Sequence, residues 1–296
     1  MSTIISFISE KGGVGKTTSV YHIAIGLQRY NEEDYDVLIV DTDYQRGGIT
    51  CRLRLEMLEH FRLGELPDLT TLYHAYRDLY SGKDTLPNLS ILDTQYGVDI
   101  VPADPRLNTV SVDKMPATNN LRDNNRMLMR HLTLIKDCLD KIEHDYDFIF
   151  IDSHPDLHDL EKSVIYASDY CISPVKLDQQ SAIGVPSTIE AISNVDEDVK
   201  AVGALVGIDH DYEDTSFLGA LGMMCREYGG SLKYSEQVIY NRLRRTTGIF
   251  DSYVTVGDGI SAAAAQGCPV YDLNFENAVK QSDQLRDVVS ELLGKI

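Results

Sequence analysis

The residues with the clearest chemical capacity stand near the start of the chain, in Ser9-Glu10-Lys11-Gly12-Gly13-Val14-Gly15-Lys16-Thr17-Thr18. An apolar stretch runs into this segment and a helical pattern leaves it. Glycine carries no Cβ, so successive backbone N–H groups of Gly12, Gly13, Val14 and Gly15 can curl around phosphate oxygens. The helix that opens at Lys16-Thr17-Thr18 aims its positive end at the same charge. Lys16 is expected to reach the β and γ phosphates, and the Thr17 hydroxyl a magnesium ion. The usual pattern G-x-x-x-x-G-K-[ST] begins with glycine. Here Glu10 holds that place and a second lysine, Lys11, follows it. Strand, loop and helix arrive in the order the motif requires, which separates it from a glycine-rich turn with two solvated lysines.

Acidic strand ends would complete such a site. Residues 36–45 read Asp-Val-Leu-Ile-Val-Asp-Thr-Asp-Tyr-Gln, so Asp41 and Asp43 stand where an apolar strand stops. Residues i and i+2 of a strand share a face, and both carboxylates could approach a metal and a terminal phosphate. The competing role for such residues is a helix cap or turn. Residues 146–155, Tyr-Asp-Phe-Ile-Phe-Ile-Asp-Ser-His-Pro, end a second apolar run in Asp152. Magnesium usually keeps several waters, so one carboxylate reaching it through water is enough, and Asp152 is the candidate. His154 and His158 have the spacing that aligns two imidazoles on a helix. Pro155 favours a helix that starts after His154. Both histidines are therefore read as solvated loop residues, not ligands.

These groups need elements to position them. Strands rich in Ile and Val are expected at residues 3–8, 36–40, 98–101, 147–151, 170–175 and 202–208, with helices at 17–29, 128–142, 157–167, 179–193, 217–228, 236–245 and 278–293. Short apolar runs without alternation suit strands buried on both faces. The pattern predicts an α/β fold, a doubly wound, mostly parallel sheet with helices on both faces and its ligand at the carboxyl ends of the strands. One domain over residues 1–296, with an excursion at about 51–97, is the simplest organisation.

Composition narrows the function classes. Hydrophobic residues at 43% and charged residues at 25% are ordinary for a soluble globular protein. No stretch approaches the roughly 20 apolar residues of a membrane helix, and the first strand begins too early for a signal peptide, so a cytoplasmic location is expected. The five cysteines are scattered without a C-x-x-C pair, which argues for reduced thiols over a disulfide frame or zinc site. A net charge of −19, from 27 basic and 46 acidic side chains, argues against a surface that attracts nucleic acid or anionic lipid throughout. Any such binding needs a local patch.

The loop from Lys11 to Thr18 resembles the deviant phosphate loop of the ParA/MinD family of dimeric ATPases. Asp41-Thr42-Asp43-Tyr44-Gln45 is similar to that family's D-x-D-x-Q motif, and residues 147–155 to its second acid-tipped strand. Weaker likenesses are Val98-Asp99-Ile100-Val101-Pro102-Ala103, Ser173-Pro174-Val175-Lys176, and residues 257–274, which include a G-x-P-V turn that lies near the adenine in the family. The resemblance implies a P-loop NTPase fold, ATP and Mg2+ as cofactors, and slow ATP hydrolysis stimulated by a partner. It makes Lys11 the residue that crosses a homodimer interface to the partner's nucleotide, Asp43 the residue that orients the attacking water, Asp41 a residue of the hydrated magnesium shell, and Pro174 part of the nucleotide site. Two positions depart from the family pattern: Tyr44 and His154 stand where proline is usual.

A ParA-type member is further implied to bind DNA without sequence preference and to answer to a ParB-like or adaptor protein. Arg242, Arg244 and Arg245, at a helix end late in an acidic chain, are the candidate DNA contacts, with Arg226 and Lys233 as possible additions. Phosphate contacts of this kind are blind to sequence and weaken with salt. Arginines at a helix C-terminus can also merely complement its dipole. A MinD-like membrane role is disfavoured, because residues 276–296 carry Glu276, Asp283, Asp287 and Glu291 against three basic residues. A relative that holds an iron–sulfur cluster would need cysteines near Asp152, and none is there.

Overall fold

A computed structural model describes residues 2–30, 33–45, 48–64, 66, 68–155, 159–207 and 212–296. Its strands are β1 (Thr3–Phe7), β2 (Val37–Asp41), β3 (Asp99–Val101), β4 (Phe148–Asp152), β5 (Tyr170–Val175), β6 (Ser216–Cys225), the small hairpin β7 (Glu227–Tyr228) and β8 (Ser231–Leu232), and β9 (Ile249–Thr255). Seven of them form one parallel sheet in the order β3-β2-β4-β1-β5-β6-β9. The register makes three strand ends flush: Asp152 of β4 pairs with Phe7 of β1 on one side and with Asp41 of β2 on the other. The segment after β1 therefore begins level with two acidic strand ends.

The helices are α1 (Lys16–Tyr30), α2 (Ile49–Leu53), α3 (Met57–Leu63), α4 (Leu72–Tyr80), α5 (Leu121–Leu139), α6 (Asp159–Tyr166), α7 (Gln179–Val206), α8 (Tyr234–Thr246), α9 (Asp258–Gln266) and α10 (Glu276–Leu293). Alternate residues of each central strand serve opposite cores. Ile5, Phe7, Ile39 and Phe150 pack with α1, α9 and α10, whereas Ile4, Leu38, Val40, Ile149 and Ile151 pack with α4, α5 and α6. Burial on both faces explains why these strands read as unbroken apolar runs, each side chain contributing about 1.5–3 kcal/mol. The excursion after β2 folds as α2, α3 and α4, and its Leu92 forms an antiparallel bridge with Ile100 of β3. No helix among the described residues is long and apolar enough to cross a membrane.

Two expected elements are different in kind. Residues 202–206 continue α7 and do not form a strand, and Ile208 lies outside the described residues. Val195, Val199, Gly203 and Val206 are buried at helical spacing while Leu205 is 64% exposed, the signature of a one-sided helix. The expected helix at 217–228 is instead strand β6, running on into β7. Its leucines, alanine and methionines favour a helix locally, but a central place between β5 and β9 overrides that preference. Strand β9 was not expected. It is an edge strand, with only Ile249, Phe250, Val254 and Thr255 buried. The α10 helix buries Leu285, Val288, Val289 and Leu292 in the core, so its apolar stripe is already covered.

Candidate functional site

The loop after β1 has the geometry of an open cradle. Gly13 and Gly15 adopt φ of 71° and 103°, a region that costs other residues roughly 1–2 kcal/mol. A Cβ built on Gly12 or Gly13 would meet nothing within 4 Å, whereas on Gly15 it would press Met223 at 3.3 Å. The first two thus face open space and the third lets the loop lie against β6. Lys16 is buried, and its Nζ donates to the Ser9 carbonyl at 2.9 Å, tying the loop's exit to its entrance. Pro174 is buried in β5, two residues past Ile172, the partner of Phe7, which puts it level with the loop's start.

Lys11 follows another course. Its Nζ donates to Ser181 Oγ at 2.9 Å and lies 3.6 Å from the Asp178 carboxylate, at the N-terminus of α7. Asp178 caps that helix by accepting from the Ser181 N–H at 2.7 Å. The capping bond and the Lys11 ammonium hold its carboxyl below the usual range against the opposing effect of burial.

The three aspartates differ in what they touch. Asp152 is fully buried, and neither carboxylate oxygen has a hydrogen-bond partner among the described residues. Burial, then the neighbouring Asp41, drives its carboxyl well above the ordinary range, with Thr17 pulling the other way more than Lys16 does. Asp41 is buried too, but its oxygens are engaged. Oδ1 accepts from the Asp43 N–H at 3.0 Å, and Oδ2 from the Thr50 N–H at 2.9 Å and the Thr50 hydroxyl at 2.6 Å. Burial pushes it up to about 7, against the Thr50 bonds and helped by Asp43. Asp41 thereby pins the start of α2 to the end of β2. Asp43 is nearly buried and accepts from the Gln45 N–H at 2.9 Å in a tight turn.

These features fit magnesium held largely through water. A buried acid-rich strand edge with unpartnered oxygens on Asp152 suits a hydrated cation, and Thr17 stands beside it. Among the described residues no three His, Cys, Asp or Glu side chains converge on one point. Water and phosphate oxygens would therefore complete the shell, as magnesium prefers.

His154 corrects the expectation of a solvated histidine: it is only 8% exposed and stacked on Tyr44. His158 lies outside the described residues. None of the five cysteines is in a disulfide, and four of them are buried.

Arg242, Arg244 and Arg245 lie exposed at the end of α8, with Arg244 3.4 Å from Asp251. Arg226 and Lys233 do not join them. Arg226 is ion-paired with Glu236 at the start of α8, and Lys233 caps that helix nine residues before Arg242, roughly 14 Å away at about 1.5 Å per residue. They line instead a cleft of about 650 Å³ beyond the carboxyl ends of β6 and β9, with Tyr234, Val256 and Lys280. That cleft and the Thr50 bonds escaped sequence reading, because both arise from distant segments. Asp178 with Ser181 three residues on, ahead of a helix, carries a legible capping signal.

A doubly wound parallel sheet with a glycine cradle after its first strand and acid-tipped strands beside it defines a P-loop nucleoside triphosphatase. The AAA domain family model matches residues 2–202, and the chain belongs to that family as a ParA/MinD-type P-loop ATPase. The chromosome partitioning protein ParA of Caulobacter vibrioides is 24% identical over 97% of this chain and 94% of its own length. Among solved structures, a Cyanothece McdA variant in complex with ATP superposes with a TM-score of 0.71 at 17% identity, covering 99% of this chain and 96% of that one. A putative plasmid partition protein of Borrelia burgdorferi bound to AMPPNP gives 0.70 at 18% identity, with all of both chains covered.

Proposed function

We propose that this protein is an ATP-dependent, dimerising ATPase that segregates or positions a cargo through ATP-gated, sequence-nonspecific DNA binding. The observation that carries the nucleotide part is the open glycine cradle ending in buried Lys16, set level with the unpartnered Asp152 carboxylate. In this reading the amides of residues 12–15 and the Lys16 ammonium hold the phosphates, with Thr18 in the first helical turn behind them. Thr17 would hold magnesium through its hydroxyl and Asp152 through water, Asp41 would add negative charge beside them, and the nucleoside would lie toward the cleft beyond β6 and β9, near Pro174. When bound, magnesium neutralises charge on the phosphate oxygens. Asp43 orients the attacking water. Lys11 leaves Ser181 and Asp178 to reach the phosphates of a second copy, which couples hydrolysis to the homodimer.

The DNA part rests on Arg242, Arg244 and Arg245, exposed together at one helix end. A ParB-like or adaptor protein stimulates turnover in this reading, and the molecule works in the cytoplasm on nucleoid DNA. The net charge of −19 and the Arg244–Asp251 contact favour a second reading, a nucleotide switch that acts on a protein partner. Co-sedimentation with nonspecific duplex DNA at rising salt separates the two. The first expects binding with ATP, weak binding with ADP, a steep loss with salt, and no binding by the Arg242/Arg244/Arg245 triple alanine variant. An ATP-loaded dimer that ignores DNA would move the assignment to the second.

A further inference from the structure

The two positions that depart from the family's prolines meet in space. Tyr44 follows Asp43 on the loop after β2, and His154 lies two residues past Asp152 on the loop after β4. Their rings stack with centroids 4.2 Å apart and planes inclined by 13°. The Gln45 side-chain amide donates to His154 Nε2 at 3.0 Å, and the same nitrogen lies 4.0 Å from Asp43 Oδ1. One turn back, the Thr42 hydroxyl and N–H both donate to the Asp152 carbonyl, at 2.8 and 3.0 Å, and the Ser153 hydroxyl donates to the Phe7 carbonyl at 2.7 Å. Behind the stack, Leu160 and Val164 help enclose a space of about 20 Å³, room for roughly one water, so the rings have little space to retreat into.

We infer that His154 is a positioning residue: stacked on Tyr44 and bonded to Gln45, it clasps the loop that carries Asp43 to the loop that follows Asp152. A proline stiffens only its own backbone, whereas a stacked pair joins two segments. The clasp makes the water-orienting carboxylate and the metal-facing carboxylate move as one unit, and displacement of about 1 Å at such a group costs on the order of a hundredfold in rate. The role rests on the ATPase reading above.

The test pairs His154→Ala, Tyr44→Ala and the ring-preserving Tyr44→Phe with two readouts. In the nucleotide-free protein, the His154 ring-proton resonances carry a ring-current shift that Tyr44→Ala removes and Tyr44→Phe retains. In ATP hydrolysis, both alanine variants lower kcat about tenfold to a hundredfold while KM and ATP affinity stay within about twofold. Tyr44→Phe restores kcat, and the double alanine variant is no slower than either single one. A His154 resonance indifferent to Tyr44→Ala, or alanine variants with wild-type kcat, would overturn the inference. A wild-type protein that binds no ATP would instead overturn the ATPase reading, and the positioning role with it.

Discussion

Asp43 is the residue on which turnover should depend most sharply. In the proposed mechanism it orients water and leaves the phosphates to the loop and Lys16, so Asp43→Ala should keep ATP binding while phosphate release falls by roughly 10²–10⁴-fold. A phosphate-release assay set against nucleotide binding separates those effects, and unchanged release would remove Asp43 from the mechanism. His22 gives a prediction about stability. It is fully buried, its Nδ1 bonded to the Thr18 carbonyl at 2.8 Å and its Nε2 accepting from the Val270 N–H at 3.2 Å. Burial lowers its pKa from 6.5 to about 4. The unfolded chain therefore takes up the proton first as pH falls. The stability His22 contributes is whole above about pH 6.5 and declines toward pH 4, by up to about 3 kcal/mol. Denaturant midpoints of the wild type and His22→Gln should draw together as pH falls through this window, and parallel pH profiles would contradict the prediction. The meeting of Lys16, Thr17 and Asp152 at one sheet edge was legible because strand, glycine loop and helix arrive in order and a second apolar run ends in an acid. His154 was misread as solvated because its burial depends on a tyrosine 110 residues earlier in the chain.

Among the elements, α9 and α10 cross so closely that a Cβ on Gly259 would lie 2.6 Å from Ala278 Cα and 2.9 Å from its nitrogen. Backbone cannot yield as a side chain can, so Gly259→Ala should destabilise by about 1–3 kcal/mol, lowering the urea midpoint at unchanged slope. No shift would mean that the helices separate at little cost. The strands with double-sided burial, β1, β2, β4 and β5, announced themselves as apolar runs, and their flush ends are what bring the loop and the aspartates together. The far half of the sheet was harder to read. Residues 202–206 carry strand-like Val and Leu in a helix, and β6 carries helix-favouring Leu, Ala and Met in a strand. In both cases neighbours in the sheet or bundle, absent from the local sequence, decide the outcome.

For the whole molecule, a net charge of −19 beside the exposed arginines at the end of α8 makes the proposed grip on DNA weak and salt-limited. Replacing Arg242 and Arg245 by alanine should reduce the slope of log affinity against log salt by about two, independent of DNA sequence. An unchanged slope would place the contact elsewhere. The central claim, that ATP joins two copies through Lys11, is tested most directly by sedimentation velocity of the wild type and Lys11→Ala with ADP and with ATP. The wild type should be monomeric with ADP and dimeric with ATP, and Lys11→Ala should remain monomeric with both. A wild type that binds ATP yet stays monomeric, or a Lys11→Ala protein that dimerises as the wild type does, would contradict it.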